Sequence, residues 1–243
     1  GSDSYYGDYT VFIKAYLDWF GIPSDVHDVA SQLPLPDFNN YAVIIFGHRN
    51  VYSENFPAGQ QYYPISALET AISGGVGLYS FDQHLFDYAS AFNVSGATHP
   101  AVTSSQVNFL TDHYITQLHQ NDIYNTTNNT ITLKDYGGLQ TMTIAQTNYS
   151  LGGTNQATLA TLSDGVASEA LLQATSFGNG RIVKWSAYDW VNDNKLGPIF
   201  GMDDLIWRGI VWAARKPFVI QGLPPMITMR VDDVDGTRAM VMN

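Results

Sequence analysis

The chain has 243 residues, 45% of them hydrophobic and only 14% charged, which excludes disorder and supplies enough apolar side chain for a sizeable core. Eleven Lys plus Arg stand against 22 Asp plus Glu, a net charge of −11 that repels nucleic acid and anionic membranes and favours neutral or cationic ligands. There is no cysteine, which excludes disulfides, thiolate metal sites and cysteine nucleophiles, and no apolar run approaches the roughly 18 residues of a membrane span.

Val11, Phe12, Ala15, Tyr16 and Trp19 recur at helical spacing, predicting a helix over Tyr9 to Phe20 that Gly21 and Pro23 terminate. Asp25 to Val29 reads as a short strand, and Leu33 to Pro36 as a proline-punctuated loop. Tyr41 to Phe46 is apolar without alternation, the pattern of a parallel strand covered on both faces. Pro64 to Ser73 predicts a helix opened by proline and closed by Gly74-Gly75, and Val76 to Ser80 a second buried strand. This order implies βαβ units and an α/β, doubly wound, mostly parallel sheet. Such a domain ordinarily opens with a strand, so either the first strand has been cut away or Ser4 to Tyr9 forms an extended edge. Gly1-Ser2 reads as a cloning remnant.

From about residue 95 to 155 the pattern changes. Short alternating stretches, Thr130 to Leu133 and Leu139 to Ala145, sit among Asn-Thr and Gly-Gly turns, predicting an inserted β-rich segment able to pair antiparallel at a sheet edge. Ala157 to Leu162 and Arg181 to Trp185 then read as strands and Asp203 to Arg215 as a helix, with Leu205, Ile206, Gly209, Ile210, Trp212 and Ala213 on its apolar face. Asp203 and Asp204 suit the positive end of that helix dipole. Four glycosylation sequons begin at Asn93, Asn125, Asn128 and Asn148 and support secretion.

Open α/β sheets bind ligands outside the carboxyl ends of their parallel strands. Those ends carry His48 and Arg49, then Asp82, Gln83 and His84, then Tyr188, Asp189 and Trp190. Planar polar groups pair with hydroxyls and aromatic faces cover sugar C–H groups, so this inventory suits carbohydrate binding, with capping and loop bonding as the plainer roles of Asp82, His84 and Asp189. Tyr114, Tyr124, Tyr136 and Tyr149 offer a second platform on the insert. A Ser80 nucleophile with His84 as base is conceivable, yet Ser80 lacks the glycine-flanked turn that exposes a catalytic serine. His99, His113 and His119 show no metal-ligand spacing.

The segment Met229 to Gly236 fails as a calcium loop, because Val231 stands where the first aspartate is needed and the chain stops before the last ligand. Two adjacent aspartates ending a strand suit half of a metallohydrolase site, one carboxylate as base and one as metal ligand. Thr228-Met-Arg-Val-Asp-Asp233 resembles the first motif of NodB-type polysaccharide deacetylases, which implies Asp232 as catalytic base and Asp233 as ligand of a divalent metal, zinc for choice, in a full-length enzyme. Phe177 to Val183 is similar to the glycine–arginine turn and strand of amidotransferase-like and trehalose-utilisation-like domains. Together with Asp203 to Arg208 and Ile210 to Pro217, this order resembles the secreted fungal galactosaminogalactan deacetylases, in which a carbohydrate-binding module precedes the catalytic domain.

The resemblance implies a class I amidotransferase-like binding module over residues 3–225 and the first strand and truncated start of a deacetylase domain over 226–243. Such deacetylases also need a downstream His-x-x-x-His pair, whereas only seven residues follow Gly236 and none is His, Asp or Glu. The expectation is a secreted, cell-wall or biofilm-matrix protein with no cofactor of its own and no catalytic activity as an isolated chain. It would bind a polysaccharide rich in galactosamine and N-acetylgalactosamine and anchor a covalently linked catalytic domain. A small amidotransferase-like or sugar-metabolising hydrolase using the strand-end crevice, and a protein-interaction domain that orients the deacetylase, are the alternatives.

Overall fold

The computed structural model describes residues 7, 9–19, 21–27, 36–47, 65–82, 92, 95–110, 112–117, 129–135, 138–145, 147–152, 154–187 and 202–215. The predicted buried strands are adjacent: β1 (Val43–Phe46) pairs in parallel with β2 (Gly77–Ser80), Val43 opposite Gly77 and Phe46 opposite Ser80. β13 (Gly180–Trp185) pairs in parallel on the other side of β2, which leaves β2 buried along its whole length. The helices α2 (Ile65–Gly74) and α3 (Asp203–Ala214) cover opposite faces of these strands. Leu68, Ala71 and Ile72 of α2 pack with Ile44, Phe46, Leu78 and Ile182, whereas Leu205, Ile206, Ile210 and Ala213 of α3 pack with Val43, Ile45, Tyr79, Val183 and Trp185. Alternate residues of apolar strands thus enter two different cores, as double winding requires.

Close helix packing is built into the composition. A Cβ on Gly77 would collide with the Ala213 carbonyl of α3 and one on Gly209 with the Tyr79 ring, so both glycines let helix and sheet approach. After α2, Gly75 takes φ +128°, its N–H reaching Ile72 O and the Val76 N–H reaching Ala71 O, the paired bonds that stop a helix at glycine.

Beyond β13 the sheet turns antiparallel. β12 (Ser168–Phe177) pairs with β13, β11 (Thr154–Ser163) with β12, β5 (Gln106–Phe109) with β11 and β6 (Thr130–Thr132) with β5. The seven-stranded order is β1-β2-β13-β12-β11-β5-β6, and five of the seven strands run in one direction, only β12 and β5 opposing them. Sheet and helices make up the expected doubly wound α/β fold, and the insert joins the sheet at an edge in antiparallel fashion.

The insert begins at β3 (Ser95–Thr98), which pairs antiparallel with β10 (Thr147–Ser150) so that Ser95 faces Ser150. Inside it lie β4 (Val102–Ser104) paired with β9 (Met142–Ile144), and β7 (Lys134–Asp135) paired with β8 (Gly138–Leu139). Val102, Val107, Met142 and Ile144 are buried in the same apolar cluster as Leu159, Leu172 and the face of α3. The insert therefore shares the main core.

Four expectations need correction. The opening helix, α1, forms as a π-helix over Thr10–Lys14 followed by an α-helix over Ala15–Trp19, and the wide π turn shifts its phase. Ile13 and Leu17 are buried, while Val11 is 56% and Trp19 81% exposed and Ala15 is exposed too, so these three residues of the face read from sequence point outward. Its end is as expected, with Gly21 at φ +63°, Gly21 N–H bonded to Asp18 O and Ile22 N–H to Leu17 O. Gly7 and Tyr9 are helical and so not part of an extended edge, while Ser4 to Tyr6 and Asp8 lie outside the described residues. Asp25 to His27 form no strand; Asp25 instead accepts the Tyr41 hydroxyl at 3.1 Å. Finally, β12 was not foreseen. The segment from Ala157 to Trp185 is a three-stranded antiparallel meander, turned first at Asp164-Gly165 and then at Gly178, whose φ is +56°.

Candidate functional site

Side chains at directly paired sheet positions share a face. Ser80 of β2 lies opposite Lys184 of β13, Lys184 opposite Gln173 of β12, and Gln173 opposite Thr158 of β11. One face of the sheet therefore carries a polar row near the carboxyl ends of β2 and β13, and Ser80, Gln173 and Lys184 in it are buried. Asp82 and Ser186, two residues farther along each chain, are buried too. Lys184 Nζ donates to Ser186 Oγ at 2.7 Å, and the Asp82 backbone N–H donates to Ser80 Oγ at 3.1 Å. A buried ammonium group persists only where polar partners replace water, and the Lys184–Ser186 contact is part of that replacement. Gln173 Oε1 is buried without a hydrogen-bond donor. A buried amide oxygen of this kind calls for a donor from water or ligand.

The opposite face at the same strand ends is aromatic. Trp185 Nε1–H donates to the Tyr79 hydroxyl at 2.8 Å, Phe81 stacks on Trp185 with centroids 5.8 Å apart, and Tyr79 meets Phe81 edge-on at 5.3 Å. All three rings are fully buried, so they brace the strand ends and offer no open platform for a sugar.

Of the residues proposed from sequence, Asp82 stands at the carboxyl end of β2, buried beside Ser80. His48, Arg49, Gln83, His84, Tyr188, Asp189 and Trp190 lie outside the described residues, as do Asn93, Asn125, Asn128, His119, Tyr124, Tyr136, Asp232 and Asp233. Asn148 and Tyr149 lie on β10. Sequence reading passed over Lys184 and Gln173. The available signal was a lysine and a glutamine inside apolar runs of central strands, where neither is ordinarily buried without a partner. Ser80 is absent from the described residues with positive φ, unlike a serine on a strained nucleophile turn, and its hydroxyl already accepts the Asp82 N–H.

Tyr114 is 42% exposed and braced by Arg208. Arg208 Nε donates to the Tyr114 carbonyl at 2.6 Å, a second guanidinium nitrogen bonds the same oxygen, and the guanidinium lies 4.3 Å from the Tyr114 ring centre. Next to it Arg181 donates to Trp212 O at 3.0 Å and covers the Trp212 ring, against which His113 packs edge-on at 5.0 Å. Burial, then Arg181 and Arg208, push the His113 imidazole below its ordinary value, with Asp112 opposing. His99 bonds the Pro100 carbonyl through Nδ1 at 2.8 Å, and its Nε2 stands 3.4 Å from Glu169 on β12. Among the described residues no three His, Asp or Glu side chains gather as a metal site requires, and no helix is long and apolar enough to cross a membrane.

No protein-family model matches the chain, and no curated protein matches it. Solved structures do. A ThuA-like protein from Bacteroides uniformis superposes with TM-score 0.53 at 14% identity, over 86% of this chain and 84% of that one. A ThuA-like protein from Parabacteroides merdae gives 0.52 at 13% identity, over 90% and 88%. The chain shares the ThuA-like fold. A cytoplasmic protein from Salmonella typhimurium is similar as well, with TM-score 0.50 and 13% identity over 85% of this chain and 87% of that one. At such identities the likeness concerns architecture alone.

Proposed function

We propose that the chain is a secreted, non-catalytic carbohydrate-binding module that holds a hexosamine-containing polysaccharide, of the galactosaminogalactan kind, for a deacetylase joined to it. The observation that carries this reading is the chemistry at the carboxyl ends of β2 and β13. Ser80, Asp82, Gln173, Lys184 and Ser186 are hydrogen-bonding groups, and the one serine placed where a nucleophile would stand has its oxygen engaged by the Asp82 N–H. The net charge of −11 supports a partly deacetylated, ammonium-bearing polymer as ligand, attracted over a Debye length of about 8–10 Å. Repeated weak contacts along a polymer keep an attached enzyme on its substrate.

The test is co-sedimentation with insoluble galactosaminogalactan at rising salt. Retention that weakens as salt rises, with no acetate released, is expected; failure to sediment with any amino-sugar polymer overturns the reading. The second reading, a small hydrolase, is favoured by Ser80 and Asp82 sharing one strand end. Turnover of soluble sugars or amides that Ser80→Ala abolishes would establish it.

A further inference from the structure

A groove of about 470 Å³ is lined by the antiparallel half of the sheet and the insert. It lies between Ser104-Ser105-Gln106, where β4 passes into β5, Thr141 ahead of β9, and Asp164-Gly165 in the β11–β12 turn. β11 runs in the same direction as β2 and β13, so this turn stands at the end of the sheet that carries Ser80 and Ser186. The volume falls within the roughly 300–1,000 Å³ typical of small-molecule clefts.

Among the described residues its lining is hydroxyl, amide and one carboxylate, with no aromatic ring. Several of these groups retain unused bonding capacity. Asn108 Oδ1 accepts the Thr130 hydroxyl at 2.7 Å, leaving the Asn108 amide N–H groups to donate elsewhere. Asp164 Oδ1 accepts the Val166 and Ala167 N–H groups, both at 2.8 Å, which pins the side chain and leaves Oδ2 for another donor. Those bonds also hold the Asp164 carboxyl below its ordinary value, so it is anionic at neutral pH. Gln106 is exposed, with both amide donors and its carbonyl oxygen available. A hydroxyl-bearing ring uses the amides and Thr141 but leaves the carboxylate without a counter-charge; a simple cation does the reverse. A ring bearing both kinds of group satisfies the whole lining.

We propose that this groove binds an amino-sugar unit, its hydroxyls on Gln106, Asn108 and Thr141 and its ammonium on Asp164. The proposal rests on the carbohydrate-binding reading and gives it a second subsite, one that prefers free amine to N-acetyl. The experiment is calorimetric titration of the full chain with a galactosamine tetramer and with its fully N-acetylated counterpart, beside polymer co-sedimentation. Wild type is expected to bind the free-amine tetramer more tightly. Asp164→Asn, which keeps an oxygen for the turn, should lower that affinity about tenfold and erase the preference; Gln106→Ala should weaken both tetramers several-fold. Should Asp164→Asn fail to fold, Gln106→Ala decides alone. If both variants bind like wild type while the polymer still sediments, the groove is not a subsite and the carbohydrate-binding reading stands. If wild type binds neither polymer nor tetramer, both fall together.

Discussion

The two halves of the sheet solve the same burial problem differently. Around β1, β2 and β13, helices cover both faces, and glycines at 77 and 209 set how closely α3 approaches. Around β11 and β5, one face is covered by the insert's own ribbon, where Val102, Met142 and Ile144 stand in for a helix. The parallel half spends its side chains on packing and keeps a few buried polar groups; the antiparallel half leaves a polar rim facing water. Parallel strands need crossovers that carry helices onto the faces, whereas hairpins bring only turns. Polar binding surface is therefore more available where the hairpins are.

The largest expected effects test whether the halves form one cooperative unit. Trp185→Ala removes a fully buried indole, its bond to Tyr79 and its stacking on Phe81, and should cost about 3–5 kcal/mol in denaturant unfolding. Met142→Ala, on the insert side of the same core, should cost about 2–5 kcal/mol and lower the same single transition. A separate early transition confined to the insert would break the shared-core account. Gly77→Ala should cost about 1–3 kcal/mol, because its Cβ meets helix backbone that can move only as a unit. A neutral result in urea melts would contradict that close approach.

The smallest effect concerns pH. The folded state holds His113 below the ordinary value of 6.5, so on acidification the unfolded chain takes up this proton before the folded one does. The contribution is complete above 6.5 and is lost as pH falls below it. His113→Gln should flatten that part of a stability–pH profile; an unchanged slope would assign the effect elsewhere.

Much of the parallel half was legible because its signals are local. The unbroken apolar run at Val76 to Ser80, with glycine stops after α1 and α2, reports burial and termination directly, whereas the run at Tyr41 to Phe46 marks a strand whose residues 41–45 are only partly buried. The phase of α1 was not legible, since a π turn breaks the 3.6-residue period on which the reading relies. β12 was hidden for a related reason. Its centre, Leu171 to Thr175, is buried on both faces and shows no alternation, so only the Asp164-Gly165 and Gly178-Asn179-Gly180 turns marked it. Asp82 was foreseen at a strand end, but its companions Lys184 and Gln173 become visible only through register, because pairing across three strands is a long-range property. The groove at Asp164 unites residues some sixty positions apart and could not be anticipated from spacing.

The facing of Ser95 and Ser150 has a consequence for how such domains diversify. Their pairing ties the two ends of the insert together while β5 and β6 inside it remain strands of the main sheet, and loop-closure entropy grows only slowly with the length enclosed. Additions within that enclosure leave β1, β2 and β13 untouched as long as the layer over β11 is preserved. Length variation among chains built this way should collect there, letting the periphery change its clientele while the foundation stays put.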